Sequence, residues 1–489
     1  MPGTSGGAGG PGAGGGADTA AEGGPGGGAP GALRRTLTFR DLVVYGLLFI
    51  APMAPVGIFG TLQAASHGAV TTVYLVATVA MACTAFSYAQ MVRVAPQAGS
   101  VYTYARVGLG EGAGFVAGWM AMLDYLLVPA VAYLFSGIAL HALVPSVHPW
   151  VWTALAVAVT TLLNLWGVRT AARVGFAVLA MEIVVLAVFV VSAVVVLVAH
   201  GAPRGWAEPL TGAGGFSLRA VLAAVSVAVL SYLGFDAIAS FAEEAGDPAV
   251  PGKGGRRAGG PDRVARAVLT CLAVAGVLFA VQTYLAALLM PMSAAELAAR
   301  PGEQGGAFYA TVDASVGRWL HDLVAASKAV GAAFAALAGQ AAAGRLLFAM
   351  ARDRRLPGAM SAVDTGSGVP RRALLGAALV TLVAAVWAAR RDDGLDQLSS
   401  VVNVGALTAF GLLHASVIGW FWVRRAGGPP GVLRHLVVPV LGLAVVVAVV
   451  AEASAAAQAV GGAWLAAGLV VLVTQRRRRG RGRSDGVRG

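Results

Sequence analysis

Charge is scarce in this 489-residue chain. Asp, Glu, Lys and Arg together make up 12% of it, about half the share found in soluble globular proteins. There are two cysteines, Cys83 and Cys271, both inside apolar runs. They form neither a disulfide framework nor a zinc-binding spacing. The seven histidines are scattered, with no HExxH pair, so no metallohydrolase is indicated. No phosphate-binding GxxxxGK[ST] loop occurs, which argues against ATP-driven work by this chain alone. The glycine-rich stretch Gly108-Leu109-Gly110-Glu111-Gly112-Ala113-Gly114 lacks the preceding strand that a dinucleotide loop requires. The first 32 residues are rich in Gly, Ala and Pro and carry no apolar core, so no signal peptide is expected there. No cofactor and no resident metal are expected.

What is abundant is apolar sequence, at 57% of the chain. Crossing about 30 Å of hydrocarbon takes about 20 mainly apolar residues. Twelve segments meet that pattern: 41–64, 70–92, 113–138, 149–168, 174–199, 221–242, 264–290, 322–350, 373–389, 400–423, 435–453 and 459–475. The expected fold is therefore an all-α membrane protein with about twelve transmembrane helices. Three regions follow: a disordered Gly-rich tail over 1–32, a transmembrane domain over 33–475, and a basic tail over 476–489.

The net charge of +12 is distributed as membrane topology, not as a nucleic-acid surface. Most of the 35 lysines and arginines fall in alternate loops, as the positive-inside rule demands for cytoplasmic N- and C-termini. The loops assigned to the outside carry only Arg204, Arg219, Arg300, Arg318, Arg390 and Arg391. Lys328 falls within a span, near its outer end, and is expected to snorkel toward the interface.

Two spans contain breaks. The first reads Leu48-Phe49-Ile50-Ala51-Pro52-Met53-Ala54-Pro55-Val56-Gly57-Ile58-Phe59-Gly60. Proline removes amide donors and clashes with the preceding turn, so this stretch is expected to unwind. The sixth reads Leu230-Ser231-Tyr232-Leu233-Gly234-Phe235-Asp236. Interruptions at matching places in two halves point to an inverted repeat with a substrate site near the bilayer midplane.

Ionisable groups at bilayer depth cost about 2.5–3.5 kcal/mol on insertion scales, so each needs a reason. Glu182 is flanked by Val178, Leu179, Val185 and Leu186 and has no partner on its own helix. Burial favours its protonated form, which suits a carrier of the coupling proton. Asp124 can receive an amine, and Tyr125 can pack on an aliphatic chain. Asp236 can bind an amine, carry a proton or cap exposed amides. Glu243 and Glu244 fit ion pairing with Lys253, Arg256 and Arg257 at the cytoplasmic end. Gln340 is either interhelical glue or a ligand, and His414 reads as a packing residue.

The ordered set of motifs resembles the amino acid–polyamine–organocation superfamily, most closely its putrescine-importer-like branch. Pro96-Gln97-Ala98-Gly99-Ser100-Val101-Tyr102-Thr103-Tyr104 is similar to the family's loop between helices 2 and 3. Gly118-Trp119 with Leu123-Asp124-Tyr125-Leu126 and Pro129 is similar to helix 3. Leu233-Gly234-Phe235-Asp236, then Glu243-Glu244 and Asp247-Pro248, resemble helix 6 and its exit. Arg345-Leu346-Leu347, Ala351-Arg352-Asp353 and Leu356-Pro357 resemble the end of helix 8, and Asn403 with Gly405-Ala406-Leu407 resembles helix 10. The resemblance implies a LeuT-type 5+5 inverted repeat plus two C-terminal helices, with proton-coupled uptake or exchange. It implies substrate contact at Pro55, Val56 and Gly57, at Tyr125, and at Tyr232, Leu233, Gly234 and Phe235. Glu182 falls where many relatives carry a lysine that serves in place of sodium. Two departures matter. Pro55 stands where relatives have the first Gly of a Gly-x-Gly turn, and Gly57 stands where putrescine importers have Asp.

The sequence therefore reads as a permease for amino acids or polyamines in the cytoplasmic membrane. Its expected partners are a small-molecule substrate, a proton and the lipid bilayer, and it is monomeric or homodimeric. The alternative is a non-transporting sensor on the same fold. No clustered catalytic constellation supports an enzyme.

Overall fold

The computed structural model describes residues 38–96, 100–165, 171–240, 260–352, 358–361, 371–426 and 428–485. The chain divides into two units, Met1–Arg34 and Arg35–Gly489, and all described residues belong to the second. Glu243, Glu244 and the expected tail over 1–32 lie outside the described residues. Every regular element among the described residues is helical.

In chain order the helices are α1 (Phe39–Ile50), α2 (Phe59–Ala65), α3 (Val70–Val94), α4 (Ser100–Leu109), α5 (Glu111–Leu143), α6 (Pro149–Leu165) and α7 (Ala171–His200). After the short α8 (Glu208–Thr211) come α9 (Leu218–Ala228), α10 (Ala237–Ser240) and α11 (Gly260–Leu289). Three short helices follow, α12 (Ala294–Ala299), α13 (Pro301–Gln304) and α14 (Ala307–Ser315). The chain ends with α15 (Arg318–Arg352), α16 (Arg371–Ala389), α17 (Gly394–Ile418), α18 (Val438–Ala451) and α19 (Ala455–Asp485).

Among the described residues, ten helical segments are long and apolar enough to cross a membrane. The other two expected spans appear as shorter apolar helices, Pro149–Leu165 and Leu218–Tyr232. The second is short because its helix breaks before completing a crossing. The interior is built mainly from α5 against α15 and α17, and from α3 against α11. The span beginning at Gly394 has 72% of its apolar window buried, whereas those beginning at Leu433 and Ala455 have 22% and 17%. The last two helices therefore lie at the rim. The large apolar side chains exposed on α7, such as Val191, Val195 and Val198, suit a hydrocarbon solvent.

Local chemistry explains the ends and the breaks. Thr38 caps α1 in a reciprocal pair: its hydroxyl accepts from the Asp41 amide at 3.3 Å, and the Asp41 carboxylate accepts from the Thr38 amide at 2.8 Å. α1 stops at Ala51, which has a φ of 58°. A single 3-10 turn, Ala54–Gly57, leads into α2. The other break follows a 3-10 turn at Val229–Tyr232. Leu233 is extended, Gly234 has a φ of 112°, and α10 starts three residues later. The two breaks meet directly, for a Cβ on Gly234 would lie 2.9 Å from the Phe49 carbonyl oxygen. Gly234 is thus required twice, by its backbone conformation and by the approach of another backbone.

His414 is a packing residue, as the sequence suggests. It is fully buried, bonded to Ser87 at 2.9 Å and Thr84 at 3.2 Å, and Gly442 of α18 lies against its ring.

Gly234→Ala is predicted to destabilise the fold by more than about 2 kcal/mol, since it combines left-handed strain with a backbone clash. A thermal unfolding curve in detergent tests this. A melting temperature equal to wild type would show that the breaks do not pack as described.

Candidate functional site

The site begins with the backbone freed at the first break. Unwound backbone at membrane depth needs partners from protein or water. Here the carbonyl of Pro52 accepts from the Gln282 side-chain amide at 3.0 Å. The carbonyl of Met53 accepts from the Lys328 ammonium at 3.1 Å and from the Val56 amide at 3.2 Å. The Ala54 amide donates to Ala51 and the Ile58 amide to Pro55, while Pro52 and Pro55 have no amide hydrogen to offer. Pro55, Val56 and Gly57 are buried, and Gly57 lies flat against the Phe135 ring. The break is thus largely satisfied from within the protein.

Lys328 corrects the expectation that it snorkels to the interface. It is only 2% exposed. α15 begins at Arg318, before the span start read from the sequence, so Lys328 sits about 15 Å along it at 1.5 Å per residue. Its ammonium also stands 5.0 Å from the centre of the Phe135 ring, a favourable cation–π arrangement.

Glu182 is 3% exposed, and its Oε1 has no hydrogen-bond partner among the described residues. It packs on Gly331, one turn along α15 from Lys328. The two opposite charges are close enough to act on each other. Glu182 therefore has a counter-charge on another helix, although none on its own.

A second group of side chains gathers around Asp124 and Tyr125 on α5. Asp124 is half-buried, with Oδ1 itself shielded from solvent and lacking a partner among the described residues. Asp236, at the second break, is close enough to act on Asp124, Tyr125 and Tyr104. Phe235 belongs to an aromatic cluster that adjoins this group at Tyr104. It meets Tyr88 at 5.8 Å and Phe410 at 5.8 Å, and Tyr88 meets Tyr104 at 5.9 Å.

The remaining expected contacts fall elsewhere. Tyr232 binds Thr78 at 2.7 Å and donates to the Tyr74 carbonyl at 3.2 Å, which makes it a brace between helices. Leu233 is buried beside it. Gln340 donates to Thr161 at 3.0 Å and accepts from Asn164 at 3.0 Å, so its amide joins α15 to α6. Of its two possible roles, interhelical glue is the one these bonds describe. Phe135 and Tyr104 are site residues that sequence reasoning did not assign, and Lys328 it assigned to the interface rather than to the site. A lysine within a span offered a signal, whereas aromatic residues in apolar helices offered none.

A cavity of about 940 Å³ opens beside this region. Thr61, Leu134 and Ile138 lie along it, so its inner end reaches the turns on either side of Phe135. None of the residues expected to bind substrate lines it.

The architecture, with paired helix breaks and buried charges facing each other across helices, is that of a multi-pass membrane transporter. The family model for amino acid permeases matches residues 42–474, and the chain belongs to that family. The low-affinity putrescine importer PlaP of Escherichia coli K12 is 28% identical over 446 residues, covering 90% of this chain and 93% of that protein. The methylthioribose transporter of Bacillus subtilis is 27% identical over 407 residues, covering 79% and 81%. The branched-chain amino acid permease BcaP of the same organism is 27% identical over 417 residues, again covering 79% and 81%. Like these proteins, the chain is a permease and not an enzyme.

Removing one member of a buried charge pair typically costs about 3–5 kcal/mol. Lys328→Met is therefore predicted to lower the melting temperature sharply, and adding Glu182→Leu to recover much of the loss. Equal melting of the single and double variants would mean that the two charges do not support each other.

Proposed function

We propose that this chain is a proton-coupled secondary transporter for amino acids or polyamines, working by alternating access around the broken first and sixth spans. In this reading the twelve helical segments form two inverted five-helix halves plus two peripheral helices. Both termini are cytoplasmic.

The observation that carries the substrate reading is the contrast between the two groups of polar residues. At the first break the backbone groups already have partners: Pro52 and Met53 carbonyls are taken by Gln282 and Lys328. The usual amide cradle for a substrate carboxylate is reduced by Pro55 and packed under Phe135. On α5, by contrast, the Asp124 Oδ1 is shielded from solvent without a partner among the described residues, and the half-buried Asp236 carboxylate is close enough to act on it. Two adjacent carboxylates repel, and a cationic amine between them relieves that repulsion. This favours a diamine or polyamine over an amino acid. Tyr125 then packs on the methylene chain.

The coupling step uses Glu182 and Lys328. Lys328 holds the Met53 carbonyl and so ties α15 to the first break. While Glu182 is charged, it stabilises the Lys328 ammonium. When a proton arrives on Glu182, that support is withdrawn and the tie between α15 and the break weakens. Asp236 is the second candidate carrier of a proton, at the other break. The Gly234 turn gives the sixth span its hinge.

Uptake into proteoliposomes tests the substrate reading, with labelled putrescine and a panel of labelled amino acids, each with and without an inward proton gradient. Gradient-driven putrescine uptake is expected, and Asp124→Asn should reduce it by roughly tenfold or more, the loss of one charged contact of about 1.5–3 kcal/mol. Uptake of amino acids alone, unaffected by Asp124→Asn, would overturn the diamine assignment. No uptake of either by folded protein would point to a sensor instead.

Glu182→Gln is predicted to abolish stimulation by the proton gradient while leaving substrate exchange across the membrane. Stimulation equal to wild type would remove Glu182 from the coupling step.

A further inference from the structure

We propose that the 940 Å³ cavity is a second, entry-side binding site for an alkyl di- or polyammonium cation, separate from the Asp124–Asp236 pair. The inference rests on the amine reading above, and on the orientation that places the α5–α6, α11–α15 and α16–α17 connections outside.

The lining charge is unusual for this protein. Five carboxylates and two arginines face the cavity, in a chain whose net charge is +12. Both arginines are engaged: Arg390 lies over the Trp150 ring at 4.4 Å, and Arg391 pairs with Asp393 at 3.1 Å. Glu303 pairs with Arg300 at 3.5 Å. Asp313, Asp392 and Asp396 have no ion pair among the described residues. A concave surface lined by one sign of charge concentrates the opposite ion.

A second observation points to a ligand that donates hydrogen bonds. His321 lines the cavity but is only 5% exposed. Its Nδ1 lies 2.8 Å from a carboxylate oxygen of Asp322, a residue that does not line the cavity. Since the carboxylate accepts, Nδ1 carries the hydrogen in the neutral ring and Nε2 keeps its lone pair. No hydrogen bond fills Nε2 among the described residues. The Tyr309 hydroxyl, beside the His321 ring, is also buried without a partner among the described residues. An ammonium N–H can donate to Nε2 while a second ammonium, separated by methylenes, meets Asp313 or Asp396. The volume is large for one small ammonium and falls within the range of sites for extended ligands. Leu134 and Ile138 of α5 line the cavity on either side of Phe135 in the chain.

The test separates this site from the central one. Putrescine and spermidine are titrated calorimetrically into purified Asp124→Asn protein, and uptake kinetics are measured on otherwise wild-type protein carrying His321→Ala with Asp396→Asn. Asp124→Asn should still bind one equivalent of amine, several-fold tighter at low than at high salt. The vestibule double variant should raise the KM for uptake roughly three- to tenfold at low salt with an unchanged maximal rate. That difference should shrink in high salt, which a merely structural defect would not do. Asp396→Glu should restore the KM of an Asp396→Asn single variant. The proposal is overturned by absence of amine binding to folded Asp124→Asn, or by a double variant whose KM and salt response match wild type. Failure of the proposed function is read separately, as absence of amine uptake by wild type in either gradient condition.

Discussion

The structure depends on how one broken helix satisfies its backbone within the membrane. Between α1 and α2, two prolines remove hydrogen donors and leave carbonyls without helical partners. In hydrocarbon each unsatisfied group costs several kcal/mol. Lys328 and Gln282 supply those partners from α15 and α11. Much of the surrounding design follows. A buried cation needs an opposite charge nearby, and Glu182 on α7 provides one. It also benefits from an aromatic face, and Phe135 on α5 provides that. Four helices are thereby arranged around two consecutive carbonyl oxygens, those of Pro52 and Met53.

The same arrangement explains why the two breaks act together. Gly234 at the second break touches the backbone of Phe49, the last turn before the first break. Movement of either segment is therefore felt by the other through direct contact. Phe235 follows Gly234 and packs with Tyr88 and Phe410. A rotation at Gly234 must withdraw Phe235 from that cluster. In the proposed alternating-access cycle, the turn at Gly234 and the aromatic packing of Phe235 would therefore change together.

The fold was legible because hydrocarbon imposes a simple length rule, and each of the twelve segments read from the sequence has a helical counterpart. Both breaks were legible too, since Pro52, Pro55, Gly57 and Gly234 act locally on the backbone. What the sequence hid was partnership. Lys328 and Met53 are 275 residues apart, and no local pattern links a lysine to a distant carbonyl. Lys328 was expected at the interface because it lies near one end of its apolar run, yet the Met53 carbonyl holds it inside the protein. Gln340 carried two compatible roles, and only the positions of Thr161 and Asn164 separate them. Tyr104 and Phe135 gave no signal, because aromatic residues are ordinary in apolar helices.

The acidic residue at position 182, where the resemblance leads one to expect a lysine, is compatible with these constraints. The carbonyl at the first break still needs a donor, and a carboxylate cannot donate while ionised. The donor therefore has to come from elsewhere, and α15 supplies it through Lys328. Once Lys328 fills that role, Glu182 becomes the group whose charge can change with least disturbance to the backbone. Its Oε1 holds no hydrogen bond among the described residues, so adding a proton there breaks none at that atom. Removing a proton from Lys328, by contrast, would weaken the bond that anchors the break. In the proposed coupling step, Lys328 would therefore keep its charge and its bond to the break while Glu182 takes up the proton.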